Sequence, residues 1–203
     1  MYIPKHNLIA DREEIVSYIR TYPFGTIISS KDNYPIATHL PFVLSEIDGK
    51  IIITSHFAKA NEQWRQISDS DVLIIFSEHN AYISPKFYDS KMEVPTWNYI
   101  AVHAYGKGKI LIDENQAFEV LEKMIDRFDK EYKAQWDNLP SKFKNSLVKE
   151  IVAFEIAVTD IQGKKKISQN KKRVERSRII SAFDVSEDSN EREIGEFMKR
   201  NEK

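Results

Sequence analysis

The sequence contains no cysteine. Disulfides, thiolate nucleophiles and cysteine-ligated zinc or iron–sulfur centres are thereby excluded. No apolar run approaches the roughly 20 residues that a helix needs to cross a bilayer. The opening MYIPKHNLIADREE holds no apolar signal-peptide core, so a cytoplasmic protein without a membrane partner is expected. Net charge is nearly absent too: 30 Lys and Arg against 31 Asp and Glu leave −1. The molecule as a whole is no polyanion binder, and any nucleic-acid contact must rest on a local patch. Neither GxGxxG nor GxxxxGKS occurs, and Gly106-Lys107-Gly108 alone is no nucleotide fingerprint. The five histidines form neither HxxxH nor HxH, so no metal site is expected. No serine sits in GxSxG, and no residue declares itself catalytic.

What remains is an ordinary globular composition, with 41% apolar and 30% charged residues in a chain of 203. Asp11 with Glu14 reads as a capping box opening a helix that Pro23 stops. Phe24–Ser30 and Tyr34–Leu44 read as strands around an Asp32–Asn33 turn. Ile36, Thr38, Leu40, Phe42 and Leu44 share one face, while Pro35 and Pro41 place the second strand at an edge or bulge. Asp48–Gly49 is a hairpin signal leading into Ile51–Thr54, and a short helix starts near Asn61. Asp71–Phe76 is a near-continuous apolar strand, expected to be buried on both faces. Ser77–Pro95 reads as a long loop.

The longest alternating stretch is Tyr99–Ile112. Ile100, Val102, Ala104, Ile110 and Ile112 lie on one side, and His103, Tyr105, Lys107 and Lys109 on the other. Asp113 opens a helix with Ala117, Val120, Leu121, Met124, Ile125 and Phe128 as its stripe. A short helix follows Pro140, with Phe143, Leu147 and Val148 inward, and Val152–Val158 forms the last strand. Two terminal helices are expected beyond Gly163. Six or seven strands with hairpin signals argue for a mainly β, antiparallel barrel with peripheral and C-terminal helices. Residues 1–163 form the barrel with inserted helices, and 164–203 a basic loop and helices packed on it.

Three constellations carry chemistry. In Thr54-Ser55-His56-Phe57-Ala58-Lys59-Ala60-Asn61 a strand gives way to a helix. Hydroxyls, a cation and helix-start N–H groups suit a phosphate there, and a capped solvent-facing connection is the plainer reading. Thr96, Trp97, Asn98 and Tyr99, followed by His103, open the long strand. They can stack on a flat ligand and bond its edge, or simply cap a sheet-edge core. Lys164–Arg178 holds eight Lys or Arg and one acid, Glu175. It suits a phosphate clamp or DNA contact, and equally a solvated helix face.

Together these stretches resemble the PaiB-type proteins, the FMN-binding negative transcriptional regulators. Val94-Pro95-Thr96-Trp97-Asn98-Tyr99 followed by Val102-His103-Ala104-Tyr105-Gly106 matches the family's central motif. Ala81-Tyr82-Ile83-Ser84-Pro85 with Tyr88 matches the run before it. His39-Leu40-Pro41, then His56-x-Ala58-Lys59-x-Asn61-x-x-Trp64, fit the earlier motifs. Lys166-Ile167-Ser168-Gln169-Asn170-Lys171 with Arg176 fits the C-terminal one. The resemblance implies an FMN-binding split β-barrel similar to pyridoxamine-phosphate oxidase, a homodimer with flavin at the subunit interface. It places flavin and phosphate contacts in the strand-to-helix connection, here Thr54, Ser55, His56 and Lys59, with Asn61 of the same motif as a further cofactor-binding candidate. By their own chemistry Trp97 or Tyr99 can stack on the ring, Thr96 and Asn98 can bond its edge, and Lys166, Gln169 and Asn170 can close the pocket. Where family members often carry arginine this chain has Lys59, which keeps the charge and loses the bidentate fork. A flavin-dependent oxidoreductase or haem-handling enzyme on the same barrel is the alternative, with His103 and Tyr105 as the strand-borne candidates.

Overall fold

Two tight turns set the register of the first strands. The structure, a computed structural model, describes residues 1–68 and 70–202. β1 (Leu8–Ile9) precedes α1 (Arg12–Thr21), and the Asp11 carboxylate accepts from the Glu13 N–H at 2.9 Å to begin that helix. β2 (Phe24–Lys31) and β3 (Tyr34–Pro41) join through Asp32 and Asn33, both at positive φ (52° and 63°). That is the backbone of a turn matching strand twist. β4 (Val43–Ile47) and β5 (Lys50–Ala58) join likewise through Asp48 (φ 50°) and Gly49 (φ 75°). A 3₁₀ turn at Glu62–Arg65 leads to β6 (Asp71–Phe76), then β7 (Asn80–Ile83) and a second 3₁₀ turn at Pro85–Phe87. β8 (Thr96–Ile110), α2 (Glu114–Phe128), α3 (Tyr132–Asn138), α4 (Ser141–Lys149) and β9 (Ile151–Lys166) follow. α5 (Arg173–Asp184) and α6 (Ser189–Arg200) end the chain.

The strand order is β3-β2-β6-β8-β9-β5-β4, with β1 added to β9 and β7 to β8. The registers are antiparallel, among them β2 with β3 and β6, and β5 with β4 and β9. The proline-bearing β3 ends that order, where a missing N–H breaks no ladder. Contacts gather into two units, each assembled from separated stretches of chain. One unit holds Met1–Ile15, Ser77–Val102 and Gln162–Lys203. The other holds Val16–Phe76 and His103–Ile161.

The second unit carries the aromatic core. Phe57 stacks on Phe154 with ring centroids 4.8 Å apart, and Phe42 meets Phe76 edge-on at 5.6 Å. All four are fully buried, worth about 1.5–3 kcal/mol each in apolar burial. Leu111, Ala117, Val120, Met124, Val148 and Ala153 form a second cluster in the same unit. Gly106 passes so near β9 that a Cβ would lie 2.3 Å from the Ala157 carbonyl oxygen, and at Gly108 one would lie 2.6 Å from that of Ile67. The Gly-x-Gly is a close backbone crossing. In the first unit, Ile179 and Phe183 of α5 are buried, as are Ile194 and Met198 of α6.

Several expectations need correction. Ser77–Pro95 is not a bare loop, since β7 and a 3₁₀ turn lie inside it. β5 runs on to Ala58, so His56 stands within a strand. β6 alternates between buried and less buried residues and is not closed on both faces. Ile112 is 90% exposed while Leu111 is buried. β8 ends at Ile110, and Leu111 packs with Ala117 and Val120 instead of continuing the strand face. Of the α4 stripe only Val148 is buried, and Phe143 and Leu147 are partly exposed. The sequence reading gave no helix at α3.

Candidate functional site

In the second unit, the segment Thr54–Asn61 combines structural and uncommitted groups. The Thr54 hydroxyl donates to the Val43 carbonyl at 3.3 Å, and the Ser55 hydroxyl to the Pro41 carbonyl at 2.7 Å. Both residues are buried, so their protons tie β5 to the chain before it. Asn61 caps the 3₁₀ turn: its carbonyl oxygen accepts from the Gln63 N–H at 3.1 Å, and its amide donates to Thr38 at 2.8 Å. Two groups remain. The His56 ring is half-buried, its Nδ1 has no partner among the described residues, and burial lowers its pKa. Lys59 is exposed, and among the described residues no carboxylate pairs with its ammonium. Among the described residues the segment therefore offers a phosphate one cation outside any ion pair and one half-buried imidazole.

In the first unit, residues from β8 and the β9–α5 connection converge. Asn98 is fully buried, its amide donating to the Ser168 hydroxyl at 2.9 Å and accepting back at 3.2 Å. Ser168 holds this position at φ 63°, a conformation rare for a residue with a Cβ. The Lys166 ammonium donates to the Thr96 hydroxyl. The Gln169 carboxamide oxygen accepts from the Ile167 N–H at 2.8 Å, and its amide donates to the Lys165 carbonyl. Gln169 thus braces its own loop. Thr96, Asn98, Lys166 and Asn170 line one cavity of about 180 Å³, together with Tyr88, Glu93 and Lys171. Trp97 lies outside it, 53% exposed, its ring 5.8 Å from the 45% exposed Tyr82. The ammonium of Lys164 sits 5.1 Å from the Tyr99 ring.

The basic run is largely answered within its own unit. Lys165 pairs with Glu14 at 2.5 Å, Lys171 with Glu93 at 2.7 Å and Arg176 with Glu202 at 3.0 Å. Asp89 accepts from Lys172 at 3.4 Å and Arg178 at 2.7 Å, and Arg178 holds its carboxyl below the usual range. Glu175 caps α5 by accepting from the Lys172 N–H at 3.1 Å, and also takes the Asp89 N–H at 2.9 Å. Those bonds, the Asp89 one first, depress its pKa.

The site assignment from sequence omitted Tyr88, Glu93, Ser168 and Lys171. Tyr88 and Glu93 lie more than 70 residues from the Lys166–Lys171 loop, and no periodicity spans that gap. The motif carrying Ser168 and Lys171 was visible, but the left-handed turn that aims it was not. On β8, burial lowers the pKa of His103, whose Nδ1 has no partner among the described residues.

The family described as "Putative FMN-binding domain" matches residues 1–160. Protease synthase and sporulation protein PAI 2 of Bacillus subtilis (strain 168) is 39% identical over 202 residues, covering 98% of this chain and 97% of that protein. The flavocytochrome Anf3 from Azotobacter vinelandii shares the fold with a TM-score of 0.63 at 15% identity, over 81% of this chain and 72% of its own. The FAD and heme binding protein from Mycobacterium smegmatis also has a TM-score of 0.63 at 15% identity, over 85% and 79%. Identity that low speaks for the fold alone. Among the described residues no helix is long and apolar enough to cross a membrane. The antiparallel sheet, the helical additions and the near-full-length match agree: this chain belongs to the FMN-binding family of PaiB-type proteins, a split β-barrel whose cofactor is FMN.

Proposed function

We propose that this protein is a cytoplasmic, homodimeric regulator of the PaiB type, a negative regulator of transcription in which FMN is a held ligand. The observation that carries this reading is the 39% identity to PAI 2 of Bacillus subtilis, which runs almost end to end through both chains. The geometry supports it. Thr54 and Ser55 spend their hydroxyl protons within the fold, and Asn61, Asn98 and Gln169 each donate an amide N–H there, so they shape a site.

The groups present fit FMN in part. The Lys59 ammonium and the unpartnered His56 ring are the phosphate holders. One cation with no fork is a modest grip for a dianion. Trp97 and Tyr82 make an exposed aromatic pair suited to a flat ring and to a subunit interface. In the proposed dimer one subunit supplies the phosphate segment and the other the aromatic surface. Bound FMN would supply a redox-active ring.

The test is retention of flavin absorbance through gel filtration after loading with FMN. We expect wild-type protein to keep the band, and Lys59→Met to lower affinity about 10- to 100-fold, the scale of a lost charged hydrogen bond. Saturating FMN with neither retention nor thermal stabilisation would refute the assignment of the phosphate segment. A second reading, a flavin oxidoreductase, is favoured by the unpartnered Nδ1 of His103 on β8. Anaerobic bleaching of the loaded protein by NADH or NADPH would select it, and an unchanged spectrum would leave the regulator.

A further inference from the structure

The first unit contains a cavity of about 180 Å³, below the roughly 300–1,000 Å³ of sites for larger organic ligands. Two cations line it. Lys171 is held by Glu93 at 2.7 Å and lies 4.0 Å from the Tyr88 ring centroid. Lys166 is half-buried and bonds to the neutral Thr96 hydroxyl, and among the described residues no carboxylate pairs with it. A partly desolvated ammonium without a counter-ion is unfavourable. Among the described residues the Tyr88 hydroxyl makes no hydrogen bond of normal geometry, with the Ser168 hydroxyl near enough to act on it, on a residue only 7% exposed. Its neighbour Ser168 has its own hydroxyl engaged with Asn98. Lys166, Lys171, Thr96 and Tyr88 thus bring donors to one small space, and the single acid there, Glu93, sits on one of the cations.

We propose that this cavity binds a small oxyanion, with the Lys166 ammonium and the Tyr88 hydroxyl as its direct donors. Glu93 acts as an internal stand-in that occupies Lys171 while the cavity is empty of ligand. A small carboxylate and a phosphate share the needed chemistry: compact negative charge with several acceptor oxygens. The site does not depend on the assignment of the flavin phosphate to Lys59.

The experiment is calorimetric titration of the full chain, FMN-free and FMN-loaded, with sodium acetate or sodium phosphate against sodium chloride at equal ionic strength. Saturable binding of acetate or phosphate is expected, and which of them binds more tightly identifies the source. Lys166→Gln should weaken binding at least tenfold, and Tyr88→Phe several-fold while keeping the ring and the fold. Glu93→Gln should strengthen it several-fold, because the competing carboxylate is gone; a purely structural role for Glu93 gives no gain. Absence of saturation by either anion, or a Tyr88→Phe protein that binds as wild type, overturns the proposal. So does displacement of the anion by FMN, which would make this cavity the flavin's phosphate site. Failure of FMN to bind, with anion binding intact, would sink the Lys59 assignment and leave this one standing.

Discussion

At the scale of single residues, the informative side chains are those whose polar atoms are left over. His56 is one: burial lowers its pKa, and its Nδ1 has no partner among the described residues. A depressed histidine pKa means that the unfolded chain binds more protons as pH falls below about 6.5. Stability is therefore full above that pH and declines as pH drops toward the folded value. His103 acts in the same direction. Urea midpoints measured from pH 7.5 to pH 5 should fall for wild type, fall less for His56→Phe, and least when His103 is replaced as well. A wild-type midpoint flat across that range would contradict the burial. Lys59, by contrast, is exposed and makes no ion pair among the described residues, so its substitution should alter FMN affinity with little effect on stability.

At the scale of elements, a four-residue 3₁₀ turn fastens a hairpin. Gln63 is buried, and its amide lies 3.2 Å from the Ile27 carbonyl, 3.0 Å from that of Ile36 and 3.2 Å from the Ser29 hydroxyl. Its oxygen accepts from Thr38 at 2.6 Å. Two N–H groups shared among three acceptors join β2 and β3 to the turn after β5. Gln63→Ala would leave buried carbonyls unsatisfied and should cost about 2–3 kcal/mol, read from the urea midpoint at constant m-value. Asn61→Ala should cost about 1 kcal/mol, the usual loss of a cap. If Gln63→Ala proved no worse than Asn61→Ala, the network would be merely incidental to the hairpin.

At the scale of the molecule, charge decides which partners are plausible. The chain carries −1 overall, and the basic run is largely paired to Glu14, Asp89, Glu93 and Glu202. Contact of eight cations with DNA would give a slope near −7 in log K against log salt. Internal pairing predicts a slope shallower than about −2, measured by fluorescence anisotropy with duplex DNA. A steep slope that Lys172→Gln and Arg178→Gln reduce by one each would show the run released for DNA. A shallow slope would place any DNA contact of the proposed regulator outside the Lys164–Arg178 run.

The sequence by itself determined the punctuation of the fold: the Asp32–Asn33 and Asp48–Gly49 turns, the α1 start at Asp11, the edge position of β3 and the amphipathic α2. Those features are local, set by φ preferences, caps and periodicity over a few residues. It also carried the motifs that place the chain in its FMN-binding family. Only the tertiary structure decided which motif residues have free hydrogens, because that depends on partners far along the chain. Thr54 and Asn98 look alike as candidate ligand donors, yet one is committed to Val43 and the other to Ser168. Lys166 and Lys171 share one basic run, yet Glu93 neutralises one and leaves the other facing a cavity with Tyr88. Spacing in sequence cannot report such pairings, since a carboxylate some 80 residues away decides them.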